Sequence, residues 1–188
     1  MHLFRRSAPL DLAPLVAPAV EDRTGPPLSQ GFMFTMVATV ASEHCTPEIL
    51  EVLSRVDPDA WYHGQLLESI LTHFEDKDPA LVVHVGRNIH FCMRSQLHAQ
   101  GITSPMLVME SVPAIWRHGT RGDGGEWTAI VGPLRARLEA HQPYNCRFEE
   151  GTLLGLLEAC DARNVRIGHG PCMRDGAPCC VFEARWEE

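Results

Sequence analysis

The chain has 188 residues, of which 45% are hydrophobic and 21% charged, a balance that excludes a wholly disordered chain, a collagen and a coiled-coil rod. A formal net charge of −8 excludes a broad nucleic-acid-binding surface. The longest uncharged, mostly apolar run, Gly31 to Ser42, is too short for a membrane-spanning helix and lacks a secretory cleavage pattern, so a cytoplasmic protein is expected.

Residues 1–30, punctuated by Pro9, Pro14, Pro18, Pro26 and Pro27, read as an extended arm or linker; residues 31–188 read as a single domain. Gly31 to Ala41 is a strand or a short buried helix, which periodicity does not decide at that length. Thr46-Pro47 opens a helix with Ile49, Leu50, Leu53 and Val56 on one face, stopped at Asp57-Pro58. A second helix is predicted from Pro58 through Phe74, and a third from Asp78-Pro79 through Leu97 to Gly101. Ser104-Pro105 opens a fourth that closes near Gly119.

Beyond Gly119 the texture changes. Glu126 to Gly132 reads as a strand, and Leu134, Ala136, Leu138 and Ala140 alternate with Arg135, Arg137, Glu139 and His141 as a second strand with one wet face. Arg147 to Ala162 is an amphipathic helix, and Asn164 to His169 and Cys180 to Trp186 are two closing strands. The pattern is α+β: N-terminal helices packed on a four-stranded antiparallel sheet, in the order helices-β-β-α-β-β. The acidic clusters Glu75-Asp76-Lys77-Asp78 and Glu149-Glu150 read as solvated helix starts, where the helix dipole favours acids.

Seven Cys and ten His, without an export signal, argue against a disulfide framework and for reduced thiols or metal ligands. Five of the Cys fall in the last 43 residues. His169 and Cys172 form an H-x2-C pair in a tight turn, and Cys172 to Cys180 is a C-x7-C spacing that fits a hairpin turned by Gly176. With Cys146 ahead of the last helix, these make a soft tetrahedral set suited to a closed, structural zinc site. The alternative is that the Cys are small buried hydrophobes. Cys160 and Cys179 are expected to be structural. No G-x-S-x-G, P-loop or G-x-G-x-x-G is present, so the catalytic chemistries those motifs carry lack support.

The segment from Cys146 to Phe182, with Gly151, Gly155, His169, Cys172, Gly176 and Cys180, resembles the C-terminal half of the 4-vinyl reductase domain family. Its wider fold relatives include haem-based nitric-oxide sensors and a vesicle-tethering subunit. The phrase Phe74 to Pro79 and the following Val85-Gly86 resemble stand-alone bacterial members of the same superfamily. In the family's phenol-sensing activators, four residues at the spacing of Cys146, His169, Cys172 and Cys180 bind zinc, the second being acidic there and His169 here. The resemblance implies a pocket for a small hydrophobic or aromatic molecule between helices and sheet, with His90, His98 and Trp127 as candidate contacts. It also implies a homodimer paired through the N-terminal third, with Phe32 to Val40 in the interface. The expected function is a non-enzymatic, zinc-binding sensory or small-molecule-binding domain that signals through a protein partner. The alternative is a protein binding haem or another tetrapyrrole, or a vinyl-reductase-like enzyme; no C-x-x-C-H motif exists, so any haem is noncovalent.

Overall fold

Five helix starts, the one after Ser104 included, carry a side-chain acceptor for the backbone N–H groups that a first turn leaves free. In the computed structural model, which describes residues 3–187, helix α1 spans Gly31–Ala41 and resolves the strand-or-helix ambiguity as helix. Thr46 then caps α2 (Pro47–Ser54) by accepting from Ile49 N at 3.2 Å. Helix α3 (Gly64–Lys77) is capped by the His63 ring, which accepts from Gln65 N. Asp78 caps α4 (Pro79–Phe91), accepting from Ala80 N at 2.9 Å. After α5 (Arg94–Ala99) and α6 (Pro105–Gly119), Asn145 caps α7 (Cys146–Ala159) by accepting from Arg147 N and Phe148 N.

The main sheet has strands β5 (Glu126–Gly132), β6 (Arg135–His141), β7 (Arg163–His169) and β8 (Cys180–Glu187). All are antiparallel, in the order β5-β6-β8-β7. Register pairs Trp127 with Ala140, Leu138 with Phe182 and His169 with Phe182. Ala136, Leu138, Ala140, Cys180, Phe182, Ala184 and Trp186 face inward, under α6 and α7, while Arg137, Glu183 and Arg185 face water. This is the sheet expected from the alternation, with α7 inserted between its second and third strands.

A second small sheet, not anticipated, joins β1 (Pro14–Leu15), β2 (Leu28–Gln30), β3 (Trp61–His63) and β4 (Thr120–Arg121) in the order β1-β3-β2-β4. The architecture is therefore α+β with two antiparallel sheets, and strands precede and interrupt the helices. Tyr144 fastens the small sheet to the body through its hydroxyl, which donates to Leu28 O at 3.1 Å. The arm is seated as well: Phe4 packs edge-on against Tyr144, and Arg6 pairs with Glu75 and Asp76.

Two predicted helices differ from the structure for identifiable reasons. The second does not begin at Pro58, because the Trp61–His63 backbone pairs with strands on both sides and is satisfied there. The third is broken at Cys92-Met93, where Met93 N tightens onto His90 O. That break lets Ile89 enter one apolar cluster and Leu97 the other. The cluster holding Leu97 lies between α6, α7 and the main sheet, the one holding Ile89 among α1 to α4, and Trp116 packs against both. Within the run Phe32 to Val40, expected at a dimer interface, Phe34 and Val37 are buried inside their own chain while Phe32 is 38% exposed. Glu75 is not at a helix start but near the end of α3, paired with Arg6 and Arg147.

Helices α4 and α7 join the two halves by backbone contact. A Cβ on Gly86 would collide with Phe148 O, one on Gly151 with Val83 O, and one on Gly155 with Arg87 O. We expect Gly155→Ala to cost about 1–3 kcal/mol by overpacking in urea denaturation. Gly168→Ala, where a Cβ meets only Glu183 O at an ordinary 3.8 Å, should lie within about 0.5 kcal/mol of wild type.

Candidate metal centre and ligand cavity

Four elements deliver the four soft ligands to one point. Cys146 is the first residue of α7, His169 the last of β7, Cys172 begins the following turn (Met173–Asp175), and Cys180 opens β8. Gly176, at φ 87°, supplies the left-handed residue that reverses the chain and returns Cys180 beside Cys172. The donor atoms of Cys146, His169, Cys172 and Cys180 all lie within 4.8 Å of one another. Sulfur–sulfur separations are 3.2 Å for Cys146–Cys180, 3.5 Å for Cys146–Cys172 and 3.8 Å for Cys172–Cys180. A tetrahedral zinc ion with about 2.3 Å bonds to sulfur requires edges of about 3.8 Å, so only small shifts separate this set from a zinc cage.

The surroundings suit anionic sulfur. Met173 N donates to Cys180 Sγ and Arg174 N to Cys172 Sγ, each at 3.4 Å. Hydrogen bonds from Cys146 and then the His169 ring pull the Cys180 thiol down to about 4, while the same contact pushes Cys146 up, so one sulfur carries the charge that its neighbour cannot. Hydrogen bonding to Cys180, then to Glu150, raises His169 to about 10. Glu150 Oε1 holds His169 Nδ1 at 3.0 Å, and Nε2 is buried among the thiols without a conventional partner. A carboxylate on one ring nitrogen with the other left for an ion is the usual orientation of a metal-ligating histidine.

Glu150 was not singled out from the sequence, although it lies four residues after Cys146 on one helix face, which is the available signal. Glu149-Glu150 is not a solvated helix start: Glu149 is 2% exposed, and burial pushes its carboxyl well up. The wholly buried Glu68 on α3 pairs with Arg174, just beyond Cys172, and so ties the helical half to the cysteine turn. Its partner is 106 residues away, which no local pattern reveals. Cys160 is buried at the end of α7 and Cys179 is half-buried; neither joins the four.

A cavity of about 660 Å³ lies between the helices and the main sheet. Its wall includes Met33, His90, Trp116, Trp127, Phe148 and Leu156. His90 and Trp127, two of the three residues expected there, line it; His98 does not, although its Nε2 is buried and unpartnered. His90 Nδ1 donates to Gly86 O at 2.8 Å, which leaves Nε2 as the basic nitrogen, and burial lowers the ring's pKa to about 4. Trp127 Nε1 is buried without a partner. The Trp127 ring stacks on Phe182 at 5.4 Å, and Phe182 stacks on His169 at 4.7 Å, so a column of rings links the cavity wall to the cysteine cluster.

The lowered His90 pKa sets a pH window. The folded state holds this ring neutral while the unfolded chain protonates it near 6.5, so stability falls as pH drops from 6.5 towards 4, by up to about 3 kcal/mol. Urea denaturation at pH 7 and pH 4.5 should show that loss in wild type and a smaller one in His90→Gln.

No protein-family model and no curated protein sequence matches this chain. Solved structures do match in shape. An H-NOX protein from S. oneidensis in the Fe(II)NO ligation state superposes with a TM-score of 0.66 at 17% identity, covering 85% of this chain and 99% of that one. An unliganded Fe(II) H-NOX mutant from K. algicida gives 0.60 at 12%, covering 85% and 97%. A trafficking protein particle complex subunit 3 from Naegleria fowleri, covalently bound to palmitic acid, gives 0.50 at 14%, covering 66% and 90%. This chain therefore has the fold of those H-NOX proteins and of that trafficking subunit.

Proposed function

We propose that the chain is a non-enzymatic ligand-binding module: the cavity takes a small hydrophobic molecule, and Cys146, His169, Cys172 and Cys180 hold a structural zinc ion. The observation that carries this reading is the half-open, mostly apolar cavity whose wall stacks, through Phe182, onto four converging donor atoms. Three thiolates and an imidazole fill a tetrahedral ion, so such a centre holds no substrate and serves to pin α7 to the β7–β8 turn. The fold is also that of a trafficking subunit covalently bound to palmitic acid, a molecule with a long apolar chain. A molecule enclosed in the fold acts on others only through the chain's surface, which is why the reading includes a protein partner.

A tetrapyrrole is the second reading. It is favoured by the shape shared with Fe(II)NO-ligated H-NOX proteins and by His90, whose neutral ring offers Nε2 as an axial ligand. The lining fits the rest of the group less well. Among the described residues it contains Asp59 and Glu149 but no Lys or Arg, so the carboxylates of a haem meet no permanent cation there.

Metal analysis of the purified protein should find one zinc per chain. Cys172→Ser should lose it and unfold about 10 °C lower, because a structural ion contributes folding free energy directly. Full zinc occupancy in that variant would overturn the ligand assignment. Absorption after haemin addition separates the two readings: the first expects the spectrum of free haemin unchanged, whereas a shifted and sharpened Soret band that is lost in His90→Leu would establish the second.

A further inference from the structure

The outer face of the main sheet carries an unbalanced row of arginines. Register places Arg135 of β6 directly opposite Arg185 of β8, and Arg185 directly opposite Arg166 of β7. All three side chains are exposed. Like charges directly opposite one another oppose strand pairing, and here the opposition occurs twice in one row. Compensation is slight: Glu183 lies 4.0 Å from Arg185 and is shared with Arg137, while Arg135 and Arg166 form no ion pair among the described residues. Charge on an edge strand prevents sheet-to-sheet pairing, which accounts for Arg166 on β7. It does not account for Arg135 and Arg185, which stand on the two inner strands. In a chain of net charge −8, the row is a local reversal of sign that calls for an acidic counterpart.

The neighbouring positions narrow what that counterpart is. Glu183, with Glu139 behind it, borders the row on one side and Glu187 on the other, so a broad polyanion such as nucleic acid or an anionic bilayer is repelled at both flanks. A narrow acidic segment is not. Adjacent strands lie about 4.8 Å apart, so the row spans about 10 Å. Carboxylates at i, i+4 and i+7 of a helix, rising about 1.5 Å per residue, span the same length. Ile130, paired with Arg137 on the same face and 72% exposed, offers an apolar contact beside the row. We infer that this face docks an acidic helical segment of a partner protein, laid across β6, β8 and β7 with its carboxylates on Arg135, Arg185 and Arg166. Each guanidinium can hold a carboxylate through two parallel N–H donors. The inference rests on the protein partner in the proposed function and adds where that partner sits and what chemistry it presents.

The probes are fluorescein-labelled, Ala-rich helical peptides with Leu at i+3 and either Glu or Gln at i, i+4 and i+7, titrated by fluorescence anisotropy. At low salt, wild type should bind the Glu peptide about tenfold tighter than the Gln peptide, as three exposed ion pairs allow, and added salt should shrink the preference. The combined Arg135→Gln, Arg166→Gln and Arg185→Gln variant should bind the two within about twofold of each other. It should melt no lower than wild type, because the substitutions remove repulsion between opposed strands. Arg55→Gln takes a charge from the exposed end of α2 and should keep the preference. A preference that survives in the combined variant, or that Arg55→Gln abolishes, overturns the inference. So does wild type that binds the two peptides equally or binds neither; the metal and haemin measurements then still decide the proposed function separately. Co-sedimentation of wild type with phosphatidylserine vesicles, lost in the combined variant, assigns the face to a bilayer and also overturns it.

Discussion

Helices α4 and α7 touch along their backbones at Gly86, Gly151 and Gly155, and the rest of the molecule is arranged around that contact. Val82, Val85 and Ile89 of α4 belong to the helical core; Leu153, Leu156 and Leu157 of α7 belong to the core against the main sheet. Without side chains at the crossing, the two cores sit close enough to act as one body. On the exposed side Arg87 reaches Glu158 at 2.6 Å, a surface pair that adds little beside the packing. His90 lies one turn beyond Gly86, and Phe148 and Glu149 lie just before Gly151, so the crossing also sets one side of the cavity.

The start of α7 carries a second duty. Cys146 meets Cys172 and Cys180, Glu150 orients His169, and the turn after Cys172 sends Arg174 to the buried Glu68 on α3. A buried charge left alone is strongly destabilising, so this pair makes the cysteine turn and the N-terminal helices depend on each other. Displacing the turn exposes Arg174 but leaves the Glu68 carboxylate inside an apolar helix interface. The link is indirect, yet it connects two segments that share no other polar contact of comparable burial among the described residues.

The local parts of this structure were legible in the sequence because local physics decides them. Capping residues followed by Pro mark the starts of α2, α4 and α6, and strict alternation marks β6. The H-x2-C and C-x7-C spacings bring His169, Cys172 and Cys180 together because a tight turn and a hairpin allow little else. What was not legible depends on distant partners. Trp61–His63 is a strand only because residues 14–15 and 28–30 lie on either side of it. Glu149, Glu150 and Glu68 resemble surface acids in one dimension; their burial follows from packing across α3, α7 and the cysteine turn. His98 is the converse: Met93, Leu97 and Gln100 line the cavity with His90 at helical spacing, and His98 falls off that face.

Because α4 and α7 cannot slide without backbone collision, the cavity has one fixed wall. Its other walls belong to α1, α5 and α6, through Phe32, Met33, Gln96, Gln100 and Ile115. Phe32 is 38% exposed, and the link between α5 and α6 turns at Gly101, whose φ of 80° suits a residue without a side chain. For a guest bound as proposed, any adjustment of the walls falls to the side built from α1, α5 and α6, because the glycine-locked side has no room to give. A guest seated there would then leave the cysteine centre where it is and reshape the outer helical surface instead.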